Sequence, residues 1–185
     1  MQINNPKYII IHCTDYSYRN IADQFLACNG WHRDRGFPKS SLGWHIGYHR
    51  VITNGKNYKA KEDNEVGAHC NQHVDGLSLN FQSLGIVCGF DGDIEMMLPE
   101  DYKLFQEQIW SWQDQYQIPP SKIRFHRHYA TDKTCPGSLI TGQWLSDLLK
   151  RPLPILDVKK NLCTDEDIKK IKWYNNLISF IKFNQ

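Results

Sequence analysis

Apolar and polar positions divide the chain into short strand-like runs and four helical stretches. Lys7 to Cys13, KYIIIHC, is apolar at nearly every position, which predicts a central strand covered on both faces. Alternation puts His12 and Cys13 on opposite faces of it. Asn20 to about Arg35 predicts a helix with Ile21, Phe25 and Cys28 on one stripe, weakened by Gly30. GFPKSSLGW reads as a loop, and His45 to Ile52 as a second strand. Asn54-Gly55 is a hairpin turn signal, with Asn57 to Ala60 as the short partner strand.

Glu65 to Asn80 is irregular, and a loop that long in a compact domain is often functional. Ser83 to Phe90 predicts a third strand. In Pro99 to Gln117, Tyr102, Phe105, Ile109, Trp112 and Tyr116 recur at steps of three and four, which predicts a helix with one apolar face. Pro119-Pro120 stops it. Lys122 to Phe125 reads as a short strand and Leu139 to Leu149 as a short helix. The Arg151-Pro-Leu-Pro154 linker then leads to a last helix capped by Thr164, with Asp165, Glu166 and Asp167 in its first turn. The expected division is a catalytic domain over 1–150 and a linker with an amphipathic helix over 151–185.

Candidate chemistry concentrates in Phe125 to Gly137, FHRHYATDKTCPG. A Cys135 thiolate and the imidazole of His126 or His128 are ligands of the kind zinc takes. Pro136 and Gly137 turn the chain after the cysteine. A third ligand must come from elsewhere, and His12 at the end of the first strand is the obvious donor. Taken singly, a His-x-His pair is usually surface or a satisfied core histidine, and a cysteine before proline is more often a small buried hydrophobe than a ligand. Tyr48 alone reads as a strand aromatic, and Lys133 alone as a solvated loop lysine.

The net charge of +2 gives no sign of a nucleic-acid partner. No apolar run is long enough to span a bilayer. The first residues, MQINNPKYIIIHC, lack the basic, long apolar and small-residue parts of a signal peptide, so the expected location is cytoplasmic. Six cysteines without a C-x-x-C pair or an export signal are expected to be mostly reduced.

Six segments in order carry a resemblance: the strand ending in His12, GYHRVITNG (47–55), VGAH (66–69), SLGIV (83–87), PEDYKLFQEQIWSWQDQYQIPPSKIRFHR (99–127) and KTCPG (133–137). Over about residues 7–149 the chain resembles the zinc N-acetylmuramoyl-L-alanine amidases of the type 2 amidase and peptidoglycan-recognition-protein superfamily, above all the amidase lysozymes of bacteriophages. The resemblance implies an α/β fold with a mixed central sheet flanked by helices. It implies Zn2+ held by His12, His126 and Cys135, catalytic roles for Tyr48 and Lys133, and a substrate groove near His69 and Asn80. It also implies bacterial peptidoglycan as partner, and a monomer that reaches the cell wall after release.

Departures from the family pattern keep alternatives open. His126 and Cys135 stand slightly farther apart than in the phage relatives, which leaves His128 as a rival ligand. Trp44-His45 offers a shifted alternative to Tyr48. Where some relatives carry a glutamate base on the third strand, this chain has Ile86-Val87-Cys88. Two other functions stay in view: a peptidoglycan-binding protein that does not cut, and an interaction protein with structural zinc. The second would need a fourth protein ligand, His128 or Cys13.

Overall fold

Tyr8–Cys13 contains no Asp, Glu, Lys or Arg, and in the computed structural model it forms strand β1 with every position buried. That structure describes residues 3–18 and 23–152. The remaining strands are β2 (Arg50–Thr53), β3 (Lys56–Lys59), β4 (His73–Val74), β5 (Leu77–Ser78), β6 (Ser83–Cys88) and β7 (Ile123–Phe125). Five of them form one mixed sheet in the order β3-β2-β6-β1-β7, while β4 and β5 make a separate hairpin. β1 runs parallel to β6 and β7, β2 runs parallel to β6, and β3 returns antiparallel to β2. The β2–β3 turn takes φ of +52° at Asn54 and +67° at Gly55, the left-handed pair that a two-residue hairpin needs.

Parallel register decides which side chains share a face. His12 pairs with Val87, Ile10 with Gly85 and Tyr8 with Ser83. Val87 also pairs with Val51 of β2. Helix α1 (Gln24–Asp34) packs Phe25 and Cys28 against Val51 and Val87, so it covers part of the face that carries His12. Farther along that face, Cys70 and Leu79 of the 65–82 segment pack on Tyr8 and Ile10. Helix α2 (Pro99–Tyr116) buries Phe105, Ile109 and Trp112 completely. Each side chain buried in this way contributes about 1.5–3 kcal/mol. The Arg50 guanidinium lies 5.3 Å from the centre of the Trp112 ring and pairs with Asp63 at 2.9 Å. The buried carboxylate of Asp101 accepts from the Gly55 amide at 2.7 Å and the Tyr18 hydroxyl at 2.9 Å, tying α2 to the hairpin turn.

The expected mixed sheet with flanking helices is therefore present, with local differences. The strand expected from His45 begins only at Arg50. Before that point the backbone bonds to loops and side chains: Ala68 N–H donates to Gly47 O, and Gly47 N–H donates to His32 Nδ1. Gly47 is also pressed so close that a Cβ there would lie 2.5 Å from the Ala68 carbonyl oxygen. The irregular 65–80 segment contains the β4–β5 hairpin. The helix expected from Leu139 is α3 (Gly142–Leu149). The five described cysteines are free. The chain divides into two compact units, 1–142 and 143–185. Residues 153–185, and with them the expected terminal helix, lie outside the described residues.

Candidate metal centre and active site

Two parallel strands that end side by side set the centre. Ile11 of β1 pairs with Phe125 of β7, so His12 and His126 follow at the same level. Their ring centres lie 4.5 Å apart. Crevices at the carboxyl ends of parallel strands are where open α/β sheets commonly bind ligands.

Cys135 arrives on the loop after β7. Arg127 holds that loop from one side: its amide donates to Cys135 O at 2.9 Å, and its guanidinium donates to the carbonyls of Thr134, Gly137 and Ile140. Asp93 holds it from the other side, accepting from Thr134 Oγ1 and from the Ser138 amide, both at 2.7 Å. Gly92 and Gly137 meet backbone to backbone, where a Cβ on Gly92 would lie 1.9 Å from Pro136 O. The outcome is Cys135 Sγ at 3.7 Å from His12 Nδ1. One ligand atom from each of His12, His126 and Cys135 lies within 4.8 Å of the others.

The donor set fits zinc. Burial, reinforced by the neighbouring His126 and His69, holds His12 well below the ordinary histidine range. Burial and then the Lys133 charge push His126 down to about 4. Both imidazoles are thus neutral near neutral pH, as metal ligands must be. A hydrogen bond with Cys13 and burial keep Cys135 well above the usual thiol range, so metal binding must displace its proton. Neither rival joins the cluster: the His128 ring packs 5.2 Å from Phe125, Cys13 touches Cys135, and the clustered ligand atoms among the described residues include neither His128 nor Cys13.

The other expected residues surround these three. The Tyr48 ring centre is 4.9 Å from that of His12, and burial pushes its phenol well above the ordinary range. His45, the shifted alternative, instead uses Nδ1 on Phe37 O at 2.7 Å. Lys133 is exposed at the rim, and its charge acts on both His12 and His126. His69 is 8% exposed and lies under the centre: its Nδ1 is 3.1 Å from His12 Nε2 and its Nε2 is 3.3 Å from Ser83 Oγ. Asn80 Oδ1 accepts from the His69 and Cys70 amides at 2.8 and 2.9 Å. The polar atoms of His69 and the side-chain oxygen of Asn80 are thus engaged within the protein. Arg127, Asp93 and Ser83 were not singled out from sequence. The alternation Ser83, Gly85, Val87 on one face of β6 was the available signal for Ser83.

Comparison with known proteins bears on the fold and the family. No curated protein matches the chain. Among solved structures, an N-acetylmuramoyl-L-alanine amidase, LysC, from Clostridium intestinale superposes with a TM-score of 0.60 at 23% identity, over 78% of this chain and 85% of that one. The Ph2119 endolysin from a Thermus scotoductus bacteriophage gives 0.59 at 21% identity, over 80% and 87%. A mutant of Drosophila PGRP-LB in complex with tracheal cytotoxin gives 0.56 at 23% identity, over 75% and 79%. At these identities the likeness speaks for the fold. The family described as N-acetylmuramoyl-L-alanine amidase matches residues 2–138, a span that takes in β1, β7 and the Cys135 loop. The chain therefore belongs to the N-acetylmuramoyl-L-alanine amidase family and is a peptidoglycan amidase.

Proposed function

We propose that this amidase is zinc-dependent, with His12, His126 and Cys135 as the ligands. The observation that carries the reading is the convergence, within 4.8 Å, of one imidazole nitrogen from each histidine and the cysteine sulfur. Three protein ligands of this type leave a fourth position open, as catalytic zinc requires and structural zinc does not. Bound there, zinc supplies a Lewis acid that activates water and polarises the amide carbonyl between N-acetylmuramic acid and L-alanine.

The remaining chemistry falls to the chain's own side chains. Lys133 offers a cationic donor to the oxygen that gains charge as the amide is attacked. Tyr48, with its phenol kept protonated by burial, donates a hydrogen bond at the same centre and orients the attacking water. His69 and Asn80 support the floor of the site from beneath. Residues 1–150 supply every group named, so a single chain holds the whole proposed site, and a monomer is the form proposed. A phage endolysin role, with the protein made in the cytoplasm and reaching the wall after release, agrees with the endolysin fold relatives. Among the described residues no helix is long and apolar enough to cross a membrane.

The test is metal analysis with turbidity loss on purified cell walls. One zinc per chain is expected. Cys135→Ser is expected to lower turnover by at least a hundredfold, on the scale of losing a central catalytic group, while circular dichroism stays native. Full activity in Cys135→Ser after chelation rules the mechanism out.

A further inference from the structure

We propose that His69 and Ser83 form a proton-ordered relay that leaves His12 Nδ1 as the lone pair facing the metal. His69 is then a positioning residue for a zinc ligand and not a group that meets substrate. This deepens the zinc reading above and rests on it for the identity of the metal.

The polarity of the relay follows from its far end. The Leu79 carbonyl can only accept, and Ser83 Oγ stands 2.6 Å from it. Two oxygens that close need a proton between them, so the Ser83 hydroxyl donates to Leu79. Toward His69 Nε2, at 3.3 Å, Ser83 then offers only a lone pair, and Nε2 must carry the proton. A neutral His69 protonated at Nε2 has a lone pair at Nδ1, which lies 3.1 Å from His12 Nε2. Lone pairs do not face each other at that distance, so His12 carries its own proton on Nε2. Its remaining nitrogen, Nδ1, is the one beside Cys135 Sγ.

The fold makes room for this arrangement and for little else. Ser83, Gly85 and Val87 share a sheet face with Tyr8, Ile10 and His12. The His69 ring crosses that face above Gly85, where an added Cβ would lie 2.5 Å from its Cγ. Gly67 presses on the ring as well, where a Cβ would lie 2.5 Å from its Cδ2. The neighbouring ring, His49, does not compete for the relay. Its Nδ1 accepts from the Gly85 amide and its Nε2 donates to Glu65 O, both at 3.0 Å.

A ligating imidazole whose distal N–H is hydrogen-bonded keeps its tautomer and orientation, and loss of that partner typically weakens metal binding 10–100-fold. Two measurements test the assignment. The first is nitrogen NMR of histidine-labelled, metal-free protein at neutral pH, which is expected to show both His12 and His69 protonated at Nε2. The second is zinc affinity by competition with a chromophoric chelator. His69→Leu is expected to weaken binding about 10–100-fold. His69→Gln, which keeps an acceptor oxygen and an N–H donor, is expected to restore most of that loss. An Nδ1-protonated His12 in the wild type overturns the relay, as does wild-type zinc affinity in a folded His69→Leu. Should the leucine variant fail to fold, the wild-type tautomers decide alone. A wild-type protein that takes up no zinc overturns the metal reading, and the NMR result still judges the relay.

Discussion

Tyr48 and Lys133 approach the same centre under opposite constraints. Tyr48 is half-buried against His32 of α1 and the cluster that holds Phe25 and Cys28, whereas Lys133 stands exposed on the Cys135 loop. Neither belongs to the ligand cluster, so removing either is expected to leave zinc content unchanged. Lys133→Ala and Tyr48→Phe are each expected to lower kcat on the order of a hundredfold, the usual cost of one donor to a developing oxyanion. Steady-state kinetics alongside metal analysis reads both quantities, and a change below about twofold in both variants assigns these residues structural roles. Sequence pointed to both residues through motif order, because residue type and spacing survive in the chain. It did not disclose Ser83 or Arg127 as parts of the site. A serine at a strand start and an arginine in a loop acquire their partners only when Leu79, His69 and the carbonyls of Thr134, Gly137 and Ile140 are brought to them.

Elements were legible where their signal was local. The unbroken apolar run of β1, the three-four stripe of α2 and the Asn54-Gly55 turn each follow from a few neighbouring residues, and each stands where the pattern put it. The 45–49 segment was not legible in that way. Its alternation resembles a strand, yet its amides go to His32 Nδ1 and to Gly85 O, partners set by packing and not by period. The Cys135 loop is another such element, since its shape depends on contact between Gly92 and the 136–137 backbone. Gly92→Ala is expected to destabilise the protein by about 1–3 kcal/mol, the usual cost of overfilling a packed position, and to weaken zinc binding with it. Gly142→Ala, where an added Cβ meets nothing within 4 Å, is the matched control and is expected to change zinc affinity little. Denaturant unfolding and chelator competition on the two variants check this. Equal behaviour of the pair would show that the loop holds Cys135 without the Gly92 contact.

The stability of the whole molecule carries a pH dependence written by its buried histidines. Burial pushes both His49 and His32 down to about 4, from an ordinary value near 6.5. In the folded protein their neutral forms are favoured, so the unfolded chain takes up more protons between those two values. Their contribution to stability is therefore full above about pH 6.5 and is lost as pH falls toward 4, the value to which His49 and His32 are pushed. Thermal unfolding of metal-free protein is expected to show Tm dropping across that window; equal Tm at its two ends contradicts it. The proposed ligand pair His12 and Cys135 points to a different consequence, which concerns the order of events as the chain folds. The two residues lie 123 positions apart, and their side chains meet only after β7 has docked on β1. On the proposed zinc reading, a chain without that pairing lacks one ligand, so zinc would favour the completed sheet and clasp one of the longest closures among the described residues. Full occupancy of the proposed metal site would then mark the end of assembly and tie hydrolase activity to a finished fold.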